Sequence, residues 1–149
     1  MKGLVNALLS RDLSRAKELL AQGVDINSKN DKGWSPLHLM VENFVPEAVR
    51  FLLENGANPD QTDTFGVTPL HLAIDTETDR FTDEFARYKA VAPSVDLTTL
   101  LLKHGADPNA KDNEGETPLD WATSLRHTPA INLLKQYGAQ SVAEQQRGT

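Results

Sequence analysis

Apolar residues fall in short clusters at helical spacing, separated by polar stretches rich in Asp, Asn and Gly. Ala48, Val49, Phe51, Leu52 and Leu53 form one such cluster; Leu97, Leu100, Leu101 and Leu102 form another, and Ile131, Leu133 and Leu134 a third. Each reads as the buried stripe of a helix. Each stripe runs into a glycine (Gly56, Gly105, Gly138) placed to end its helix in the left-handed conformation. A shorter apolar segment precedes each stripe and opens on Ser35-Pro36-Leu37, Thr68-Pro69-Leu70 or Thr117-Pro118-Leu119. A hydroxyl residue as N-cap, followed by proline where a missing N–H costs nothing, starts a helix. The pattern predicts first helices from Leu37 to about Asn43, Leu70 to about Thr76 and Leu119 to Leu125. The second helices have start signals at Ser94, ahead of Leu97, and at Thr128-Pro129. A turn with a glycine stands before each first helix, at Asn30 to Gly33, Asp63 to Gly66 and Asp112 to Gly115.

These phrases recur. Ser-Pro-Leu-His at Ser35 to His38 returns 33 residues later as Thr-Pro-Leu-His at Thr68 to His71, and again as Thr-Pro-Leu-Asp at Thr117 to Asp120. Gly56-Ala57-Asn58-Pro59-Asp60 is echoed by Gly105-Ala106-Asp107-Pro108-Asn109 and, more weakly, by Gly23-Val24-Asp25-Ile26-Asn27. The glycines at 23, 56, 105 and 138 stand 33, 49 and 33 residues apart, one period being lengthened by 16. Self-similarity at this interval means a stacked array. The motifs resemble the ankyrin repeat, a β-turn followed by two antiparallel helices, over residues 4 to about 140. That resemblance implies an all-α solenoid of four units: an N-terminal cap over 1–29, repeats over 30–62 and 63–111, and a C-terminal cap over 112–140. The first unit lacks the Thr-Pro-Leu-His phrase. The last replaces its histidine with Asp120 and puts Trp121 where the family usually has a small aliphatic residue. Residues 141–149 have no apolar face and are expected to fray.

The extra 16 residues fall in the third unit, roughly Glu77 to Ala92. Phe81, Phe85, Tyr88 and Ala92 make a helical stripe, Asp83 and Arg87 an i, i+4 pair, and Pro93 a stop. The expectation is an extra short helix, or an extension of the first helix, held to the array by its aromatic residues.

Charge and composition narrow the function. A net charge of −6, a pI near 5.1 and no run of Lys or Arg argue against nucleic acid or an anionic membrane as the main partner. The lack of cysteine excludes disulfides and thiolate chemistry and fits a reducing compartment. No stretch approaches the ~18 apolar residues of a membrane span, and Asn6 and Asp12 break the N-terminal apolar run, which does not read as a signal peptide. A monomeric cytoplasmic protein is the expectation.

Repetition also disposes of the obvious catalytic candidates. His38 and His71 sit in the repeated phrase, and the family resemblance implies that they bond to neighbouring turns. His104 and His127 occupy family positions too, and no metal-ligand spacing joins the four. Asp63, Asp112, Asp25 and Asp107 recur at turns, where aspartate bonds local backbone N–H groups. With no nucleophile, phosphate-binding or dinucleotide motif present, the chain reads as non-enzymatic, with no cofactor.

In the family, the turn tips and the exposed face of the first helix form a concave binding surface. Here that surface would comprise Lys32, Trp34, Phe65, Val67, Glu114 and Glu116 from the tips. Met40, Glu42, Asn43 and Asp75 would come from the first helices, and Asp79, Asp83 and Glu84, grouped with Glu77, from the insert. Large apolar residues on solvated tips suit a protein interface, although Trp34 packing against Phe65 would explain them more plainly. The acidic residues suit a partner with a basic patch. The reading is a protein-binding module. The alternatives are an immunity- or antitoxin-like inhibitor of a basic toxin or enzyme, a ligand-binding or catalytic domain with a pocket beneath the insert, and a fragment of a longer scaffold.

Overall fold

A computed structural model describes residues 1–81 and 94–148. Within them the chain is helical, without strands. Four helix pairs succeed one another: α1 (Lys2–Leu9) with α2 (Leu13–Ala21), α3 (Pro36–Glu42) with α4 (Pro46–Glu54), α5 (Pro69–Phe81) with α6 (Asp96–Lys103), and α7 (Pro118–Ser124) with α8 (Thr128–Gln136). The first helices stack in one row, α1 on α3, α3 on α5 and α5 on α7, while α4 meets α6 in the second row. The core lies between the rows, where Leu4, Leu8, Leu37, Met40, Leu52, Leu70, Ile74, Leu97, Leu101, Leu119 and Leu134 are fully buried. This is the expected all-α solenoid.

The helix ends follow the residues that make them. Ser35 and Thr117 form capping boxes with His38 and Asp120 ahead of prolines at the first helical position. The three short inter-helix turns each place a non-glycine residue at positive φ: Arg11 at 59°, Phe44 at 49° and Arg126 at 57°. The next residue then donates back to the helix, Asp12 to the Ala7 carbonyl at 2.8 Å, Val45 to Met40 at 2.9 Å and His127 to Ala122 at 2.9 Å, the bonding of a Schellman end.

One detail decides between alternatives of the sequence reading, and two depart from it. Helix α5 runs past Thr76 to Phe81, so the start of the insert is an extension of the first helix. The remaining insert, with Asp83, Glu84 and the stripe residues Phe85, Tyr88 and Ala92, lies outside the described residues. Helix α6 has Val95, not Ser94, at its N-cap, and Ser94 Oγ accepts from the Asp96 amide at 3.1 Å. Its leading amides donate instead to Glu77, Leu97 N at 2.6 Å and Thr98 N at 3.3 Å to Oε1, while the Thr98 hydroxyl donates to Oε2 at 2.6 Å. The tail is helical: α9 (Val142–Arg147) starts on a Ser141–Glu144 capping box, and the Val142 amide donates to Asp120. Local capping supplies order there without burying any residue.

Candidate functional site

Each turn ahead of a first helix folds into a finger whose first residue organises it. In the first finger, Asn30 Oδ1 accepts the amides of Lys32 and Trp34. In the second, Asp63 Oδ1 accepts those of Phe65 and Val67 at 2.8 and 2.9 Å, and in the third Asp112 Oδ1 accepts those of Glu114 and Glu116 at 3.0 and 2.9 Å. Neighbouring fingers are joined through the backbone, Thr64 N donating to the Lys32 carbonyl at 3.3 Å and Asn113 N to the Phe65 carbonyl at 2.9 Å. The aspartates are therefore turn-formers, as their repetition implied.

Their second carboxylate oxygens hold the two tryptophans. Trp34 Nε1 donates to Asp63 Oδ2 at 3.1 Å and Trp121 Nε1 to Asp112 Oδ2 at 3.0 Å. The Trp34 ring stacks on His38 at 6.4 Å, with Lys32 Nζ 5.8 Å from its centroid, and Trp121 meets His71 edge-on at 5.2 Å. Trp34 is thus half-buried and tied to the next finger through Asp63 rather than standing free at a tip.

The histidines are structural. Nδ1 of His38 and of His71 accepts the amide of Ser35 or Thr68, and Nε2 faces the Val67 or Glu116 carbonyl of the next finger at 3.1 Å. Accepting at Nδ1 requires the neutral ring with hydrogen on Nε2. Burial, foremost, holds both below their ordinary 6.5. His127 does the same between the Ala130 amide and the Ser94 carbonyl. Among the described residues no group of three or more His, Asp or Glu is placed to hold a metal ion.

The surface residues proposed from sequence divide into several groups. Phe65, Val67, Glu114 and Glu116 share a cavity of about 250 Å³ between the second and third fingers, with Trp121 as its further wall. Asp75 and Glu116 line an adjoining cavity of about 170 Å³ with Trp121, Ser124 and Leu125. Glu42, Asp75 and Asp79 line another of about 170 Å³ between α3 and α5. Phe65 is 70 % exposed. Burial, then the neighbouring Asp79 charge, raises the Asp75 carboxyl above its ordinary range. Desolvation, then Asp112, Glu114 and Asp120, raises that of Glu116.

Other described positions line none of these three cavities. Met40 is fully buried: it completes the i, i+3 stripe with Leu37 and packs in the core. Asn43 is exposed, but its Nδ2 donates to the Leu39 carbonyl at 2.8 Å and finishes α3. Glu77 is 1 % exposed and caps α6 instead of joining an acidic knob. Asp83 and Glu84 lie outside the described residues. Trp121 is the residue that sequence reading left out of the surface. Its signal was present as a departure from the small residue usual at that place.

Comparison with known proteins places the geometry. A model of ankyrin repeats in three copies matches residues 4–88, more than half of the chain, and a second model of ankyrin repeats matches residues 86–140. Similar proteins include protein phosphatase 1 regulatory subunit 27 of Homo sapiens, 35 % identical over 72 residues, which are 48 % of this chain and 47 % of that one. The putative ankyrin repeat protein YahD of Escherichia coli is 44 % identical over 77 residues, 48 % of this chain and 38 % of the relative. The nuclear factor NF-kappa-B p105 subunit of Gallus gallus is 47 % identical over 66 residues, 43 % of this chain and 7 % of the relative. The match spans less than half the length of each. Fingers, paired helices and recurring phrases agree with the matched models, and the chain belongs to the ankyrin-repeat family, whose arrays serve as protein–protein interaction modules.

Proposed function

We propose that this array binds another protein through its second and third fingers and the adjoining face of α5 and α7, and that the partner presents a basic surface. The observation that carries the reading is Phe65, a large apolar side chain 70 % exposed at a fingertip whose backbone is fixed by Asp63 and by bonds to both neighbouring fingers. A rigid exposed aromatic loses little conformational entropy when covered, which suits it to anchor an interface. Glu114 and Glu116 flank it and supply complementary charge. Trp34 contributes as a wall behind the first finger, and Lys32 beside it marks where the acidic character ends. The regulatory-subunit relative supports a binding role. The cysteine-free composition fits a cytoplasmic setting, and a monomer leaves the fingers open to the partner.

Affinity purification from the source cells, with co-purifying proteins quantified, tests this. Phe65→Ala leaves the fold intact, because the side chain contributes little burial, and lowers recovery of the specific partner roughly tenfold or more. Trp34→Ala/Phe65→Ala lowers it further. Equal recovery on wild type and Phe65→Ala overturns the reading.

A further inference from the structure

Resting on that binding role, we infer that the cavity between the second and third fingers is an anchor site for one arginine side chain of the partner, its guanidinium lying on the Phe65 and Trp121 rings and pairing with Glu116 and Glu114. The cavity measures about 250 Å³, below the ~300–1,000 Å³ usual for small-molecule sites, so it suits a single long side chain rather than a cofactor. Two of its walls are aromatic and its rim is acidic.

Among the described residues those acidic groups are uncommitted. The carboxylate behind them, Asp112, is spent on the Glu114 and Glu116 amides and on the Trp121 indole. Asp120 is spent on Thr117 and the Val142 amide. The Glu114 and Glu116 side chains carry no hydrogen bond or ion pair within the described structure, where the ion pairs, Arg11–Glu47 and Arg15–Glu18, lie on other units. Lys111 lines the neighbouring cavity of about 500 Å³ without pairing with either. Among the described residues the site therefore gathers negative charge that no cation pairs with, and a cation entering it relieves the repulsion.

The rings favour a guanidinium over an ammonium. A guanidinium stacks flat on an aromatic face and can fork to a carboxylate, whereas an ammonium is a compact, strongly hydrated point charge. The same chain already makes this contact between its second and third units, where Arg80 Cζ lies 4.1 Å from the Phe44 ring centroid. Trp121 is held in advance by its bond to Asp112 and its edge contact with His71, so the platform exists before the ligand arrives.

The test is an NMR titration of the whole ¹⁵N-labelled protein with the peptide acetyl-Gly-Arg-Gly-amide. The controls are the same peptide with citrulline, which keeps the shape without the charge, and with lysine. The two tryptophans give two indole signals. The expected result is saturable movement of the Trp121 indole and the Phe65 amide, with the Trp34 indole moving far less. Citrulline should bind at least fivefold more weakly, lysine several-fold more weakly, and Glu114→Gln/Glu116→Gln should weaken the arginine peptide about tenfold. Equal affinity for citrulline, an unchanged double variant or equal movement of both indoles overturns the site, and equal affinity for lysine overturns its arginine selectivity. Failure here, with partner recovery still lost in Phe65→Ala, removes the arginine site and leaves the docking surface. Unchanged recovery in Phe65→Ala removes the surface itself.

Discussion

Glu77 shows how far a side chain's role can lie from its sequence neighbourhood. Within Asp75, Glu77, Asp79, Asp83 and Glu84 it reads as one of a run of solvated acids. In the fold it is buried and receives three donors from Leu97 and Thr98, some twenty residues away across the insert. No local spacing encodes that contact. Burial pushes its carboxyl up from 4.5 to about 7, against the pull of those hydrogen bonds. A group with a raised folded pKa favours the fold when protonated: its contribution is complete below about 4.5 and is lost as pH rises through about 7. His38, His71 and His127 have lowered folded values, so their contribution is complete above 6.5 and is lost as pH falls below it. The two trends oppose each other. Glu77→Gln keeps an acceptor for the α6 amides and removes one trend. It should gain stability relative to wild type between pH 5 and pH 8, by on the order of 3 kcal/mol at most, as measured by urea unfolding across that range. A constant difference between the two proteins contradicts the assignment. Met40, by contrast, was legible: with Leu37 and Val41 it sits at core spacing on α3, and placing it on the surface overlooked that stripe.

At the scale of elements, helix starts, glycine stops and fingers could be read directly, because each depends on residues within a few positions of one another. The tail and the cap of α6 could not, since α9 leans on Asp120 and α6 on Glu77. Contacts between equivalent fingers also separate residues that look alike in sequence. Gly66 and Gly115 hold the same turn position at φ 76° and 83°. A Cβ on Gly66 would stand 2.7 Å from the Asn113 backbone nitrogen and 2.6 Å from its Oδ1, whereas one on Gly115 would meet nothing within 4 Å. Gly115→Ala should therefore cost only the left-handed backbone penalty, about 1–2 kcal/mol, and Gly66→Ala clearly more. Chemical denaturation of both variants decides this, and equal losses would show that the second and third fingers do not pack as closely as described.

Across the whole molecule, repetition identifies scaffold and irregularity identifies what is left for recognition. The recurring histidines, aspartates and glycines hold fingers and helices in register. The residues that do not recur, Phe65, Glu114, Glu116 and Trp121, meet around one cavity. The first three could be named from sequence, Phe65 as an atypical apolar tip and Glu114 and Glu116 as acidic tips. Trp121 could not be joined to them, because only the stacking of α7 beside α5 brings its ring to the second finger. The most direct test of a finger-side docking surface is site-specific photo-cross-linking in the source cells, with p-benzoylphenylalanine replacing Phe65 or, on the outer helix row, the exposed Glu54. The account predicts a discrete protein adduct from position 65 and none from position 54; an adduct from position 54 alone would contradict it.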